Sequence, residues 1–127
     1  MTRINLVPVE ELSNQHLMAE YRELPRIPNS IKSNRAKIQN IPKKFCLGSG
    51  HVKFFYDKIG FLKIRHTAIK NELLRRGFNI TCNYDGLFDG IPEHLMNEWT
   101  PSLNDVIVSR NRIKEKLKMK PDFYVWG

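Results

Sequence analysis

With 127 residues the chain can bury one apolar core and is too short for two. Its 21 lysines and arginines against 13 aspartates and glutamates give a formal charge of +8 and a pI near 9.7, so a polyanion is the natural partner. No segment approaches the roughly 20 uninterrupted apolar residues of a bilayer span, which argues against a membrane protein, and the opening stretch from Met1 to Pro8 lacks the apolar core of a secretory signal.

In chain order, Ser13 or Asn14 caps a first helix over Gln15 to Leu24, with Leu17, Tyr21 and Leu24 recurring at helical spacing. Pro25 and Pro28 end or kink it. Residues 29–44 are polar and basic and read either as an irregular helix or as a loop. Cys46 and Cys82 lack metal-ligand spacing and read as free thiols of an intracellular protein that is not secreted. Gly48-Ser49-Gly50-His51 lacks the Gly-Lys-Ser/Thr ending of a phosphate-binding loop and reads as a turn before the next helix.

From His51 to Arg76 the apolar residues Phe55, Ile59, Leu62, Ile69 and Leu73 share one face, and Gly77 supplies the stop. Gly60 inside this run weakens a helix by about 1 kcal/mol relative to alanine, a loss tolerable where another backbone packs close. Residues 79–101 are rich in Asn, Asp, Gly and Pro, with one helical turn suggested over Pro92 to Met96. A third helix starts at Ser102, which has capping spacing to Asp105, and carries Leu103, Val106, Ile107, Ile113 and Leu117 as its apolar stripe until Pro121. No run alternates convincingly enough for a sheet, so the pattern predicts a mostly α domain of three main helices. The apolar tail Phe123-Tyr124-Val125-Trp126 sits where chains fray unless something holds them, and it must dock on protein or on ligand.

The first helix gathers Gln15, His16, Arg22, Glu23 and Arg26 on and beside its polar side. By periodicity alone this is a solvated face with local ion pairs. The wording says more: Met1-Thr2-Arg3-Ile4-Asn5-Leu6, the run Gln15 to Arg26, Gly48-Ser49-Gly50-His51-Val52, Phe54-Phe55-Tyr56-Asp57-Lys58 and Arg76-Gly77-Phe78-Asn79-Ile80 resemble the phage-type pyrimidine-dimer DNA glycosylases with abasic-site lyase activity, the dimer-specific endonuclease V family. The likeness continues more loosely through 110–127, while the segment from Ile27 to Phe45 is shorter and poorly matched.

That resemblance implies a single domain over 1–127 with its N-terminal segment packed between helices. It implies that Met1 is removed, that the Thr2 amine attacks the sugar C1′ of a damaged nucleotide to form a Schiff base, and that strand cleavage follows by β-elimination. It assigns the acid/base carboxylate to Glu23 and DNA contacts to Arg3, Gln15, His16, Arg22 and Arg26. Along the third helix it matches Arg112, Lys116 and Lys120 to basic positions near phosphates, with lysine at Lys120 where arginine is usual, and it links Phe123, Tyr124 and Trp126 to damage recognition. An α-amine suits this chemistry: its reference pKa near 7.7 to 8.0 leaves roughly a tenth or more neutral at pH 7, against about one lysine side chain in several thousand.

Arg110, Arg112, Lys114, Lys116, Lys118 and Lys120 give the third helix a basic side suited to phosphates. His51, His66 and His94 show no metal-partner set, and neither metal nor cofactor is expected. The expected partner is double-stranded DNA carrying UV photoproducts, met by a monomer with no membrane association. Two rival readings are the same imine chemistry on abasic sites or another altered base, and a non-catalytic basic protein that only binds DNA.

Overall fold

Residues 2–127 are described by a computed structural model, and among them all regular structure is helical, with no strand. The mostly α expectation holds. Helix α1 (Asn14–Glu23) is capped by Ser13, whose hydroxyl accepts the His16 N–H at 3.1 Å, a bond worth about 1 kcal/mol to a helix start. The chain turns at Leu24 and Pro25 directly into α2 (Arg26–Lys32). Pro28 is tolerated there because the first turn of a helix has no intrahelical use for its N–H groups. Of the two readings of residues 29–44, the helical one holds only to Lys32, and the rest is loop, with Asn34 and Asn40 at positive φ.

The helix expected over His51 to Arg76 is broken. It forms a single turn, α3 (His51–Phe54), a tight 3-10 turn (Phe55–Asp57), and then α4 (Ile59–Arg75). The break falls at Lys58, whose φ of −128° and ψ of 38° leave the helical region. It lets the start of α4 press against the chain at Met96 and Asn97. A Cβ on Gly60 would lie 2.9 Å from the carbonyl oxygens of both residues, and the Phe61 N–H donates to the Asn97 carbonyl at 3.1 Å. Gly60 is therefore the close-approach glycine that its place in an otherwise apolar helix suggested. At the other end Gly77, at φ +90°, closes α4 with the paired bonds Phe78 N–H to Leu73 O and Gly77 N–H to Leu74 O, the motif for which a left-handed glycine is needed.

Helix α5 (Leu103–Met119) carries the capping box expected at Ser102 and Asp105. Its stripe needs correction. Ile113 is buried and Val106 and Leu117 pack partly against the core, but Leu103 and Ile107 are exposed. The centre of the inward face is Ser109, drawn in because its hydroxyl is used there, and Ile107, two residues away, turns outward.

What Ser109 serves is the N-terminal segment. Residues 2–7 run extended through the interior, Ile4 and Leu6 joining the apolar cluster of Leu24, Ile27, Phe54, Phe55 and Ile59, while Val7 and Val9 join that of Leu12, Leu17, Tyr21, Ile69 and Leu73. No strand lies alongside, so side chains take the backbone groups instead. The Ile4 N–H donates to His51 Nε2 at 2.9 Å, the Asn5 N–H to Glu20 at 3.3 Å, and the Leu6 N–H to Ser109 Oγ at 2.9 Å. The Val7 carbonyl accepts from Arg65 at 2.6 Å. Glu20 and Arg65 are themselves buried and form a two-pronged pair at 2.8 and 3.2 Å, with the Asn5 amide donating to the same carboxylate at 2.9 Å.

Removing one partner of a buried pair strands the other charge. Arg65→Ala is expected to lower stability by about 3–5 kcal/mol in urea unfolding. Gly60→Ala, which overpacks two fixed carbonyls, is expected to cost about 1–3 kcal/mol in the same measurement.

Candidate active-site cleft

The N-terminal segment, α1, α5 and the tail enclose a cleft of about 410 Å³. Arg3 and Asn5 come from the segment, His16, Glu20 and Glu23 from α1, Arg112 and Lys116 from α5, and Tyr124 from the tail. Helical spacing explains the contribution of α1. Leu17, Tyr21 and Leu24 face the core, and Glu20 and Glu23 follow His16 at steps of four and three on the adjoining side.

The cleft is lined by three cations, Arg3, Arg112 and Lys116, against two carboxylates, and the carboxylates are not equivalent. Glu20 is consumed by Arg65 and Asn5. Glu23 is half-buried, and among the described residues no ion pair holds it, so the pairing with Arg26 open to it by spacing is not formed. Burial and the neighbouring Arg112 guanidinium push the Arg3 pKa down, with Cys46 opposing. Arg3 also donates to the Leu47 carbonyl. His16 is lowered by burial, Glu20 pulling it up and Lys116 pushing it further down. A half-buried neutral imidazole, three cations and one carboxylate not held by a salt bridge can bind an anion at the rim and move a proton inside.

The other expected site residues divide. Thr2 is buried beside the Gly48–Gly50 turn and lines a second groove of about 320 Å³ with His51 and Tyr56, not the cleft that holds Glu23. Met1, whose removal the resemblance implies, lies outside the described residues. Arg22 and Arg26 are exposed near the end of α1 and the start of α2, flanking Glu23 in sequence. Arg112 and Lys116 reach the cleft, whereas Arg110 is taken by Glu11 at 2.9 Å and the Lys120 ammonium sits 5.2 Å over the Phe123 ring.

The tail docks on protein. Val125 accepts the Asn14 N–H at 2.7 Å, and both ends of the Gln15 amide are used, its nitrogen donating to the Phe123 carbonyl and its oxygen accepting the Val125 N–H. The Trp126 indole donates to the Glu11 carbonyl at 3.0 Å. Tyr124 thereby stacks on the His16 ring at 4.7 Å and walls the cleft, while the side chains of Phe123 and Trp126 remain largely exposed. Gln15 is thus a clamp for the tail in this structure.

Sequence reasoning missed Asn5, Glu20 and Arg65. A signal was present: Glu20 completes the stripe of Leu17, Tyr21 and Leu24, and Arg65 falls between Leu62 and Ile69 on the buried side of α4, so each is a charge at a core position. Among the described residues no cluster of three or more His, Cys, Asp or Glu side chains suits a metal ion, and no helix is long and apolar enough to cross a membrane.

Two comparisons with known proteins bear on this site. The family model described as pyrimidine dimer DNA glycosylase matches residues 1–85. Ribonuclease M5 of Borreliella burgdorferi is 39% identical over 56 residues, 44% of this chain, and the chain spans only 29% of that relative's length. Helix α5 and the tail lie beyond the family match, and their part in the cleft can be tested directly. Gln15→Ala removes two hydrogen bonds worth about 0.5–1.5 kcal/mol each. It is expected to speed Val125 amide exchange and alter Trp126 fluorescence, with amide protection in the core of α4 retained.

Proposed function

We propose, from the premise that this chain belongs to the pyrimidine dimer DNA glycosylase family, that it excises cyclobutane pyrimidine dimers from UV-damaged duplex DNA with the Thr2 amine as nucleophile and then cleaves the strand as a lyase. The observation that carries the reading is Glu23, a half-buried carboxylate outside any salt bridge, in a cleft lined by Arg3, Arg112 and Lys116 beside the buried N-terminal segment. Phosphate binding alone would use the cations and has no use for that carboxylate.

With Met1 removed, the neutral Thr2 amine attacks C1′ and the glycosidic bond breaks, its electron pair leaving with the base. Loss of a proton from the new nitrogen and ring opening of the sugar give the imine. Removal of a C2′ proton then expels the 3′ phosphate by β-elimination. Glu23 is the group suited to stabilise positive charge on the sugar and to carry those protons. Positive neighbours disfavour the protonated form of the amine, and an ionised Glu23 beside it opposes them. Arg3, Arg22, Arg26, Arg112 and Lys116 meet phosphates around the lesion, with Lys120 further along the same helix. His16 and Tyr124 wall the cleft that holds Glu23, and Gln15 acts through the tail. Bringing C1′ to the amine requires distorting the duplex, which costs a few kcal/mol of stacking and is cheapest where a lesion has already weakened the helix.

Borohydride is expected to trap a covalent complex on dimer-containing duplex and, faster, on abasic duplex. Trapping should vanish when the terminal amine is blocked, and the mass of the active protein should lack Met1. Retention of Met1 in fully active protein would refute the Thr2 assignment, and trapping on abasic but not dimer DNA would favour the abasic-site rival. Glu23→Gln is expected to slow cleavage by about 10²-fold or more while sparing DNA affinity. Lys116→Ala should weaken binding to all duplexes alike and reduce the slope of log affinity against log salt by about 1.

A further inference from the structure

Of the side chains that hold the N-terminal segment, the one nearest its start is His51, the first residue of α3, which is almost fully buried. Its Nε2 faces the Ile4 nitrogen at 2.9 Å and its Nδ1 faces the Cys46 carbonyl oxygen at 2.8 Å. A backbone N–H can only donate and a carbonyl oxygen can only accept. Both contacts are satisfied in one state alone, the neutral imidazole with its proton on Nδ1 and a bare lone pair on Nε2. Phe45 and Phe55 hold the ring edge-on at 5.5 and 5.4 Å. The loop that accepts the His51 proton also accepts the Arg3 guanidinium, at Leu47, so the residues on either side of the Arg3–Ile4 peptide are anchored to one short stretch of chain. Thr2 and His51 line the same groove.

We propose that His51 is a positioning residue for the reaction: as a neutral acceptor it fixes Ile4, and with it the place from which the Thr2 amine reaches the cleft, and protonation of its ring releases the segment. The proposal rests on Thr2 being the nucleophile. The charged and titratable groups around His51 are Arg3 from the N-terminal segment, Cys46 from the loop, whose thiol is turned to the Ser49 carbonyl, and Lys53 and Tyr56 along the groove. Burial, reinforced by Arg3 and opposed by the Cys46 carbonyl bond, holds the His51 pKa down at about 4. The unfolded chain takes up this proton near pH 6.5 and the folded protein only near 4, so the stability that the neutral ring contributes is complete above 6.5 and is lost as the pH falls towards 4.

Two substitutions separate the ring's two bonds. His51→Gln can keep an acceptor near the Nε2 position and gives up the bond to Cys46, whereas His51→Asn can keep the donor near Nδ1 and gives up the bond to Ile4. Full-length protein lacking Met1 is compared by borohydride trapping at saturating protein on an abasic duplex, by Kd for that duplex, and by amide exchange at Ile4. His51→Asn is expected to slow trapping by roughly 10- to 100-fold with Kd unchanged and faster Ile4 exchange, and His51→Gln to recover most of the rate. Equal losses in both variants, or losses that track Tm, would reduce His51 to a structural role and overturn the proposal. Should His51→Asn fail to fold, the unaltered protein supplies the second test. On acidification from pH 7.5 to 4 the protection factor of Ile4 should fall before that of Leu6, whose acceptor, the Ser109 hydroxyl, does not titrate. Parallel loss overturns the proposal. Trapping that survives a blocked amine would defeat the Thr2 reading instead, and the Ile4 exchange result would stand apart from it.

Discussion

An extended segment threaded through a helical interior has no neighbouring strand to take its N–H and C=O groups, and a buried polar group left without a partner costs more than most single contacts return. The buried Glu20–Arg65 pair answers half of that demand here, and His51 and Ser109 answer the rest. One carboxylate serves the Asn5 backbone and side chain, and its guanidinium partner serves the Val7 carbonyl. The pair joins α1 to α4 through the segment that lies between them, and the apolar contacts of Ile4, Leu6 and Val7 on either side depend on it. Among the described residues no buried side-chain polar atom is left without a hydrogen bond, so this polar interior is fully connected.

The same helix carries two carboxylates one turn apart with opposite fates. Glu20 is neutralised by Arg65 and fixed in place, and Glu23 is left half-buried at the cleft without a salt bridge. Local environment, not residue type, divides structural from chemical work. The tail makes a parallel division among its aromatics: Tyr124 is stacked on His16 as wall, while Phe123 and Trp126 stay exposed, on a backbone tied to Asn14 and Gln15 and with the Trp126 indole held by the Glu11 carbonyl.

Helix existence was legible because periodicity, caps and stops coincide. Leu17, Tyr21 and Leu24, the capping box at Ser102 and the left-handed Gly77 each match a physical requirement visible in one dimension. The break at Lys58 was not, because it goes with the close approach of Gly60 to Met96 and Asn97, some forty residues away. The inward face of α5 was misjudged at Leu103 and Ile107 for a related reason: a serine defines that face through one hydrogen bond to the N-terminal segment, and hydropathy gives serine no claim to an interior. Of the cleft residues on α1, His16 and Glu23 stood out in the family wording, whereas Glu20, a charge at a core position, did not. The occupation of Gln15 by the tail, and the placement of Thr2 in a groove with His51 and Tyr56, required the fold.

The N-terminal segment also differs from a strand in how it can err. A strand that slips by two residues in a sheet finds the same ladder and the same face again. Here the successive partners are an imidazole, a carboxylate, a hydroxyl and a guanidinium from four different helices, so no displaced register reproduces the set. The segment therefore works as a ruler with one zero mark. Each residue inserted between Thr2 and Ile4 would move Thr2 by about 3.3 Å from the point at which Ile4 is fixed.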